Sequence, residues 1–155
     1  MSTQRWGAAP SGTATAGLVA GGGTPTDTAA TEEWNADVAV GAWVTGASMN
    51  SARNALTGNG TQTSALAYGG NNPPVSAYLA LTEQYNGTSW TEVNDLNTGR
   101  NTLASSGVDN TSALAFGGAI STGQVGNTES WNGYTWTEVS DLNLVRQSLG
   151  GCGTQ

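Results

Sequence analysis

The chain has 155 residues, of which 23 are glycine and 10% are charged, and its formal net charge is −7 with no lysine and no histidine. This length corresponds to one ordinary domain. Nucleic-acid binding is not expected, because neutralising phosphates requires clustered Lys and Arg. Membrane insertion is not expected either, since no apolar run approaches the ~20 residues that span a bilayer. The N-terminal segment also lacks the charged-then-apolar pattern of a signal peptide.

Four arginines mark the start of a recurring unit. They are 48, 47 and 46 residues apart, and they are Arg5, Arg53, Arg100 and Arg146. Each of the first three copies continues with a double glycine, a Thr-Glu-x-aromatic-Asn segment and a second tryptophan. A drifting period of this length indicates a repeated supersecondary unit. The recurring positions are Gly21-Gly22, Gly69-Gly70 and Gly117-Gly118; Glu32, Glu83 and Glu129; Trp34, Tyr85 and Trp131; and Trp43, Trp90 and Trp136.

The first unit is predicted at 5–49. Its first strand follows Arg5 and contains Pro10, which lacks the N–H that a central strand would donate and therefore favours an edge position. The three later strands are predicted at 15–20, 29–35 and 42–46, with a longer and less regular turn between the last two than in the other copies.

The second unit is predicted at 50–96. Its first two strands are expected at 54–57 and 63–68, joined by a glycine-containing turn at 58–60. Its third strand is expected to end at Tyr85, and its fourth to begin at Trp90. The pair Asn86-Gly87 predicts a tight hairpin, because a type I′ turn needs positive φ at both central residues. No segment shows a sustained period of 3.6 residues, so no helix is predicted.

The third unit is predicted at 97–142, with a loop at 119–126 and a second tight hairpin at Asn132-Gly133. An extra strand, equivalent to the first strand of a fourth unit, is predicted at 146–155. It contains Cys152, which we expect to be a small buried or half-buried thiol. One cysteine excludes an intrachain disulfide.

The order of arginine, double glycine, spaced aromatic residue and tryptophan resembles the kelch repeat, which forms one blade of a β-propeller. The resemblance covers almost the whole chain, although Trp43 follows Asn35 by eight positions and the two later copies have four. It implies an all-β fold of three four-stranded antiparallel kelch-type blades plus one extra C-terminal strand. The small-residue composition is also similar to kelch-like repeats of phage and bacterial structural proteins.

Three blades do not close a ring, because propellers typically contain four to eight blades around a channel. A single blade cannot bury both faces of its sheet, so neighbouring blades must cover them. Two arrangements satisfy this requirement: a homodimer that gives six blades, or a longer array in which further blades lie elsewhere.

The charges and aromatic residues that follow the repeat are expected to serve the fold. Each arginine is predicted to bridge a glutamate of a third strand, within its own unit or in a neighbouring one, because its planar guanidinium matches a carboxylate. The alternative is a ring of arginines that binds anions. The recurring aromatic residues are expected to pack between blades.

No catalytic, metal or cofactor site is predicted. A chain without histidine has neither a Ser-His-Asp triad nor a histidine-ligated zinc. The carboxylates that recur in several units argue against one specialised glycosidase pair.

Two functions remain open from the sequence. The first is a non-enzymatic structural or adhesion module that self-assembles through its blades, as part of a phage virion or an extracellular surface, with itself or other virion or surface proteins as partners. The second is a lectin-like propeller that binds a glycan through the loops between its second and third strands. Residues expected to contact such a ligand are Asn71, Asn72, Tyr78 and Tyr134.

Overall fold

The computed structural model describes residues 4–36, 41–74 and 78–154. Over these residues the chain is all-β and contains three four-stranded antiparallel sheets and one two-stranded hairpin. This confirms the predicted fold class at the level of its sheets. The described ranges contain no helix, and hence none long enough to cross a membrane.

Each sheet corresponds to one repeat unit. Unit 1 consists of β1 (Ala9–Gly12), β2 (Ala16–Ala20), β3 (Thr31–Asn35) and β4 (Ala42–Thr45). Unit 2 consists of β5 (Thr57–Thr61), β6 (Ser64–Tyr68), β7 (Thr82–Tyr85) and β8 (Trp90–Glu92). Unit 3 consists of β9 (Ala104–Asp109), β10 (Ser112–Phe116), β13 (Thr128–Trp131) and β14 (Trp136–Glu138), with the hairpin β11 (Ala119–Ile120) and β12 (Gly123–Gln124) inserted in the predicted loop.

The strands of each sheet lie side by side in the order in which they follow along the chain. The first strands also contact one another from sheet to sheet, β1 with β5 and β5 with β9. A hydrogen bond joins Thr57 Oγ1 and Ser105 Oγ of the latter pair at 2.9 Å. The sheets are therefore stacked face to face with their first strands on a common side, and they do not close into a ring.

The first strand of unit 2 begins later than predicted. The sequence placed a strand at 54–57 and a turn at 58–60, but β5 runs through both glycines to Thr61, and the turn is Gln62-Thr63. Gly60 has φ +116° and pairs with Ala65 across the ladder. Glycine adopts such a φ at little cost, so it continues the strand here.

Unit 3 has one more residue than unit 2 between its arginine and its double glycine, and a β-bulge accommodates it. The register of β9 against β10 shifts between Ser112 and Leu114. A bulge places two residues of one strand opposite one residue of its partner.

The double glycines join consecutive units. In Gly69-Gly70 both residues have positive φ, 68° and 104°. The Gly70 N–H donates to the carbonyl of Arg100 at 2.9 Å, and a Cβ added at Gly70 would lie 2.7 Å from the carbonyl oxygen of Asn54. Because only glycine combines this φ with so close an approach, the motif both ends the second strand and receives the start of the next unit.

The predicted extra strand at 146–155 is not formed over the described residues 146–154. A strand requires a partner for its ladder, and no second strand of a fourth unit lies beside this segment. The segment nevertheless begins like the other units. Its Arg146 carbonyl accepts from the Gly118 N–H at 2.8 Å, as the Arg100 carbonyl accepts from Gly70.

Candidate functional site

Three of the four repeat arginines are buried in ion pairs within their own units. The pairs are Arg5–Glu32 at 3.3 Å, Arg53–Glu83 at 2.6 Å and Arg100–Glu129 at 3.2 Å. The side chains of Arg53 and Arg100 are fully buried. Each pair ties the start of its unit to the third strand of the same sheet.

Further hydrogen bonds hold the glutamates of the pairs in units 2 and 3. Glu83 Oε2 accepts from the backbone and side-chain nitrogens of Asn50, at 2.6 and 2.8 Å, and Glu129 Oε2 accepts the same two bonds from Asn97. Burial lowers the pKa of Arg100, and the Glu129 carboxylate opposes this shift. These buried, internally bonded arginines have no face open to an external anion.

Two apolar clusters fill the junctions between consecutive sheets. The cluster between units 1 and 2 consists of Ala9, Leu18, Ala20, Met49, Leu56, Ala65, Ala67, Tyr85 and Trp90. The cluster between units 2 and 3 consists of Leu66, Tyr68, Leu96, Leu103, Ala113, Ala115, Trp131 and Trp136. Alternate residues of each second strand therefore face the two neighbouring units, as the period of a strand requires.

One indole–hydroxyl hydrogen bond recurs at both junctions. Trp90 Nε1 donates to Thr31 Oγ1, and Trp136 Nε1 donates to Thr82 Oγ1, both at 3.1 Å. At the second junction the ring of Tyr68 also meets that of Trp136 edge to face, with centroids 4.7 Å apart. Burial raises the pKa of the Tyr68 hydroxyl.

Unit 3 carries the first half of a further junction, and no sheet among the described residues covers it. We call Leu114, Phe116, Leu142 and Leu149 the unit 3 end face. These four residues are half-buried. Their equivalents in unit 2 and at its junction with unit 3 are at most 5% exposed, and they are Leu66, Tyr68, Leu96 and Leu103.

Unit 1 carries the second half of such a junction. We call Gly17, Val19, Trp34 and Trp43 the unit 1 end face. All four are half-buried, whereas their equivalents in unit 2 are at most 6% exposed, and they are Ala65, Ala67, Tyr85 and Trp90. A groove of about 370 Å³ runs along this face. Among the described residues no second sheet packs on this face, so the packing of Trp34 and Trp43 between units stays a prediction that requires a further unit or copy.

The fourth unit begins with exposed side chains. Arg146 is exposed, and its Nε donates to the Leu144 carbonyl at 3.4 Å. No ion pair of Arg146 is formed among the described residues. Cys152 is exposed too, so the expectation of a buried thiol is wrong. Both outcomes have one cause, since no sheet in the described part of the chain covers this segment.

The four predicted ligand contacts do not form one site. Asn71 exchanges backbone hydrogen bonds with Asn54 at 2.8 and 2.9 Å and follows the second strand of unit 2, as Asn72 does. Tyr78 is half-buried in the same connection, whose residues 75–77 lie outside the described ranges. Tyr134 is 76% exposed in the hairpin between β13 and β14. In an antiparallel sheet this hairpin and the connection of Asn71 lie at opposite ends.

Tyr134 borders an open groove of about 520 Å³ between units 2 and 3. The groove also contains Gln84, Glu92, Asn94 and Trp131. The Asn94 side chain donates to the Tyr134 carbonyl at 2.7 Å and links the two units at this point.

The described residues contain no group of three or more His, Cys, Asp or Glu side chains able to hold a metal ion.

No protein-family model and no curated protein matches the sequence.

The sequence analysis did not identify four further residues of the end faces, which are Leu114, Phe116, Val19 and Leu149. Considered singly, each of them is an ordinary core residue. The repeat register contained the signal, because these residues occupy the positions of Leu66, Tyr68, Ala67 and Leu103, and the first or last copy in a stack leaves such positions open.

Proposed function

We propose that the chain is a non-enzymatic structural or adhesion module of kelch type that self-assembles by packing the unit 3 end face of one copy on the unit 1 end face of another. The observation that carries this proposal is the position-by-position match of the two end faces to the two halves of the internal junctions. Inside the chain the equivalent faces are covered by another repeat unit. We therefore expect each end face to be covered by another repeat unit as well.

The side chains at the new junction are complementary in the same way as those inside the chain. Phe116 occupies the position of Tyr68 and would receive Trp43 as Tyr68 receives Trp136. Trp43 would donate to Thr128 Oγ1, which occupies the position of Thr31 and Thr82. The assembly therefore needs no contact type that the chain does not already make.

Such a contact joins two different surfaces and is head-to-tail. Head-to-tail contacts close into rings when the rotation permits and otherwise form open arrays. Two copies of three sheets supply six, and this number lies within the range of β-propellers. We propose a six-bladed homodimer as the closed form.

A role in a phage virion or on an extracellular surface agrees with the assembly. The chain has no lysine and carries a net charge of −7, which keeps assembled copies soluble. Three of its recurring arginines lie in buried ion pairs that hold the sheets rather than in a concave reactive site.

The test compares two neighbouring side chains on opposite faces of β4. Trp43 belongs to the unit 1 end face, and Val44 is exposed on the other face of the strand. Trp43→Ala should weaken self-association measured by sedimentation velocity across a concentration series, and Val44→Ala should leave it unchanged. Equal association of both variants with the wild type would contradict the proposal.

A ligand-binding role is the second candidate, favoured by the groove beside Tyr134. An exposed aromatic ring next to Gln84, Glu92 and Asn94 combines an apolar platform with hydrogen-bonding groups, a combination that suits a glycan. A glycan array probed with the wild type and Tyr134→Ala tests this role. Binding that is lost in the variant would support it, and no binding by the wild type would exclude it.

A further inference from the structure

Two segments of the chain compete for one place in the proposed assembly. Residues 5–12 form the first strand of unit 1, and residues 146–153 are their equivalents at the start of a fourth unit. When a second copy covers the unit 3 end face, both segments reach the same edge of β2. We propose that residues 143–153 of one copy replace residues 5–12 of the other on β2, so that the copies exchange strands. This inference rests on the proposed self-assembly.

The backbone of the donated segment already has the required conformation. Ser148 has φ +54°, and the residues at its position in units 2 and 3, Ala55 and Thr102, have +52° and +50°. Gly153 has φ +119°, close to the +116° of Gly60. Left-handed φ values at non-glycine residues are uncommon, so their recurrence at one repeat position marks a common path.

Hydrogen bonds to unit 3 hold the segment at the place of a first strand. The Ser148 N–H donates to the Thr102 carbonyl at 2.9 Å, as Thr102 donates to Ala55 at 2.9 Å. The Gly107 N–H donates to the Gly153 carbonyl at 3.1 Å. Among the described residues no strand pairs with the opposite edge of this segment, and β2 of a second copy supplies such a strand.

The carboxylate of Glu32 favours the donated segment. In units 2 and 3 the glutamate accepts from an asparagine three residues before the arginine, Asn50 or Asn97. Asn143 occupies this position before Arg146, whereas the position before Arg5 is Ser2, a shorter side chain without the amide. Exchange therefore offers Glu32 the side-chain amide from which Glu83 and Glu129 accept.

Two disulfide traps in a Cys152→Ser background test the exchange in the full chain. Ala9 lies opposite Ala20 in the ladder, and Gly150 takes the place of Ala9 after exchange. Ala20→Cys with Gly150→Cys traps the exchanged state between copies, and a Cβ at residue 150 meets no atom within 4 Å. Ala9→Cys with Ala20→Cys traps the unexchanged state within one copy and is the matched control.

We expect the first variant to give a covalent dimer on a non-reducing gel after mild oxidation. The control should form its disulfide within the chain and become monomeric by light scattering, then regain the dimer on reduction. If the first variant stays uncross-linked and the oxidised control stays dimeric, exchange is wrong and the proposed self-assembly stands. If the wild type and both variants are monomeric at every concentration, both proposals are wrong.

A pair of alanine variants provides a readout that needs no cross-link. Arg146→Ala should weaken dimerisation at least about 30-fold, since it removes the donated cation from the buried Glu32. Arg5→Ala should strengthen dimerisation, because it removes the competing cation. Equal dimerisation constants for Arg146→Ala and the wild type, or weaker dimerisation of Arg5→Ala, would overturn the exchange.

Discussion

Unit 1 and unit 2 have the same sheet but different surroundings. Both pair an aromatic residue of the third strand with a tryptophan of the fourth, Trp34 with Trp43 and Tyr85 with Trp90, in the same register. Yet Tyr85 and Trp90 are buried, and Trp34 and Trp43 are half-buried. The repeat therefore encodes the sheet locally, whereas burial of its faces depends on the neighbouring sheet. Leu66 and Leu114 differ in the same way, since Leu66 is buried and Leu114 at the equivalent position is half-buried.

The largest effect on the free energy of unfolding is expected from removing a buried arginine, and removing the exposed arginine is its control. Arg100→Ala should lower the free energy of unfolding by about 3–5 kcal/mol, because it leaves the Glu129 carboxylate buried without its cation. Arg146→Ala should change it by less than about 0.5 kcal/mol under dilute conditions in which the chain is monomeric. Urea denaturation followed by tryptophan fluorescence measures both. Unchanged stability of Arg100→Ala would refute the structural role of the pair.

A second contrast uses one residue type at equivalent positions. Leu66 is 1% exposed at the junction between units 2 and 3, and Leu114 is half-buried on the unit 3 end face. Leu66→Ala should cost about 2–5 kcal/mol through lost burial and a cavity. Leu114→Ala should cost about 1 kcal/mol in the monomer, because less apolar surface is removed from contact. Equal costs in dilute urea titrations would mean that the two faces are equally covered.

The indole hydrogen bonds give a smaller contrast. Trp90→Phe should cost about 1–2 kcal/mol beyond the loss of ring area, since it leaves the buried Thr31 hydroxyl without its donor. Trp43→Phe should have little effect on the monomer and should weaken self-association, because the proposed acceptor, Thr128, belongs to another copy. Thermal melts at low concentration and sedimentation at high concentration separate the two effects. A melting temperature lowered equally by both changes would contradict the contrast.

The smallest effect concerns a turn that lies on neither end face. Asp109 accepts from the backbone N–H and the hydroxyl of Thr111 at 2.8 and 2.7 Å, and these bonds lower its pKa. Because the folded pKa lies below the unfolded one, the stabilisation is present above the unfolded pKa of about 4 and is lost as the pH falls through the folded pKa.

Asp109→Ala should therefore lower the melting temperature slightly at pH 7, and its difference from the wild type should shrink as the pH falls below about 4. The difference should not vary with protein concentration. A difference that grows on acidification would show that the carboxylate is not stabilised by these bonds.

Much of the fold follows from the sequence because its signals are local. The repeat register correctly places the second strands, the hairpins that contain Asn86-Gly87 and Asn132-Gly133, and the three buried arginine–glutamate pairs. The predicted type I′ turns are not formed, because only the glycine of each pair has positive φ, and the asparagine side chains instead accept hydrogen bonds from the backbone of wider loops. Gly58 and Gly60 predict a turn, because glycine is typical of turns, but in the structure both continue the first strand of unit 2. Glycine also permits close packing within a strand, and its turn propensity alone does not distinguish a turn from a strand.

The surroundings of the two ends do not follow from local signals. Cys152 is expected to be buried or half-buried, but it is exposed, because burial requires a second sheet that the described residues do not supply. Trp34 and Trp43 are half-buried for the same reason. Likewise, Tyr134 and Asn71 lie at opposite ends of their sheets. Nearness in space depends on strand direction, which the residue types alone do not encode.

The most direct test of the central claim is the solution mass of the wild-type chain, measured by light scattering over a wide range of concentrations. The packing of one end face on the other predicts a mass of twice the 15.6 kDa of one chain, with a monomer only on dilution. A mass of 15.6 kDa at every concentration would contradict it, since Trp34, Trp43, Leu114 and Phe116 would then remain uncovered in the native protein.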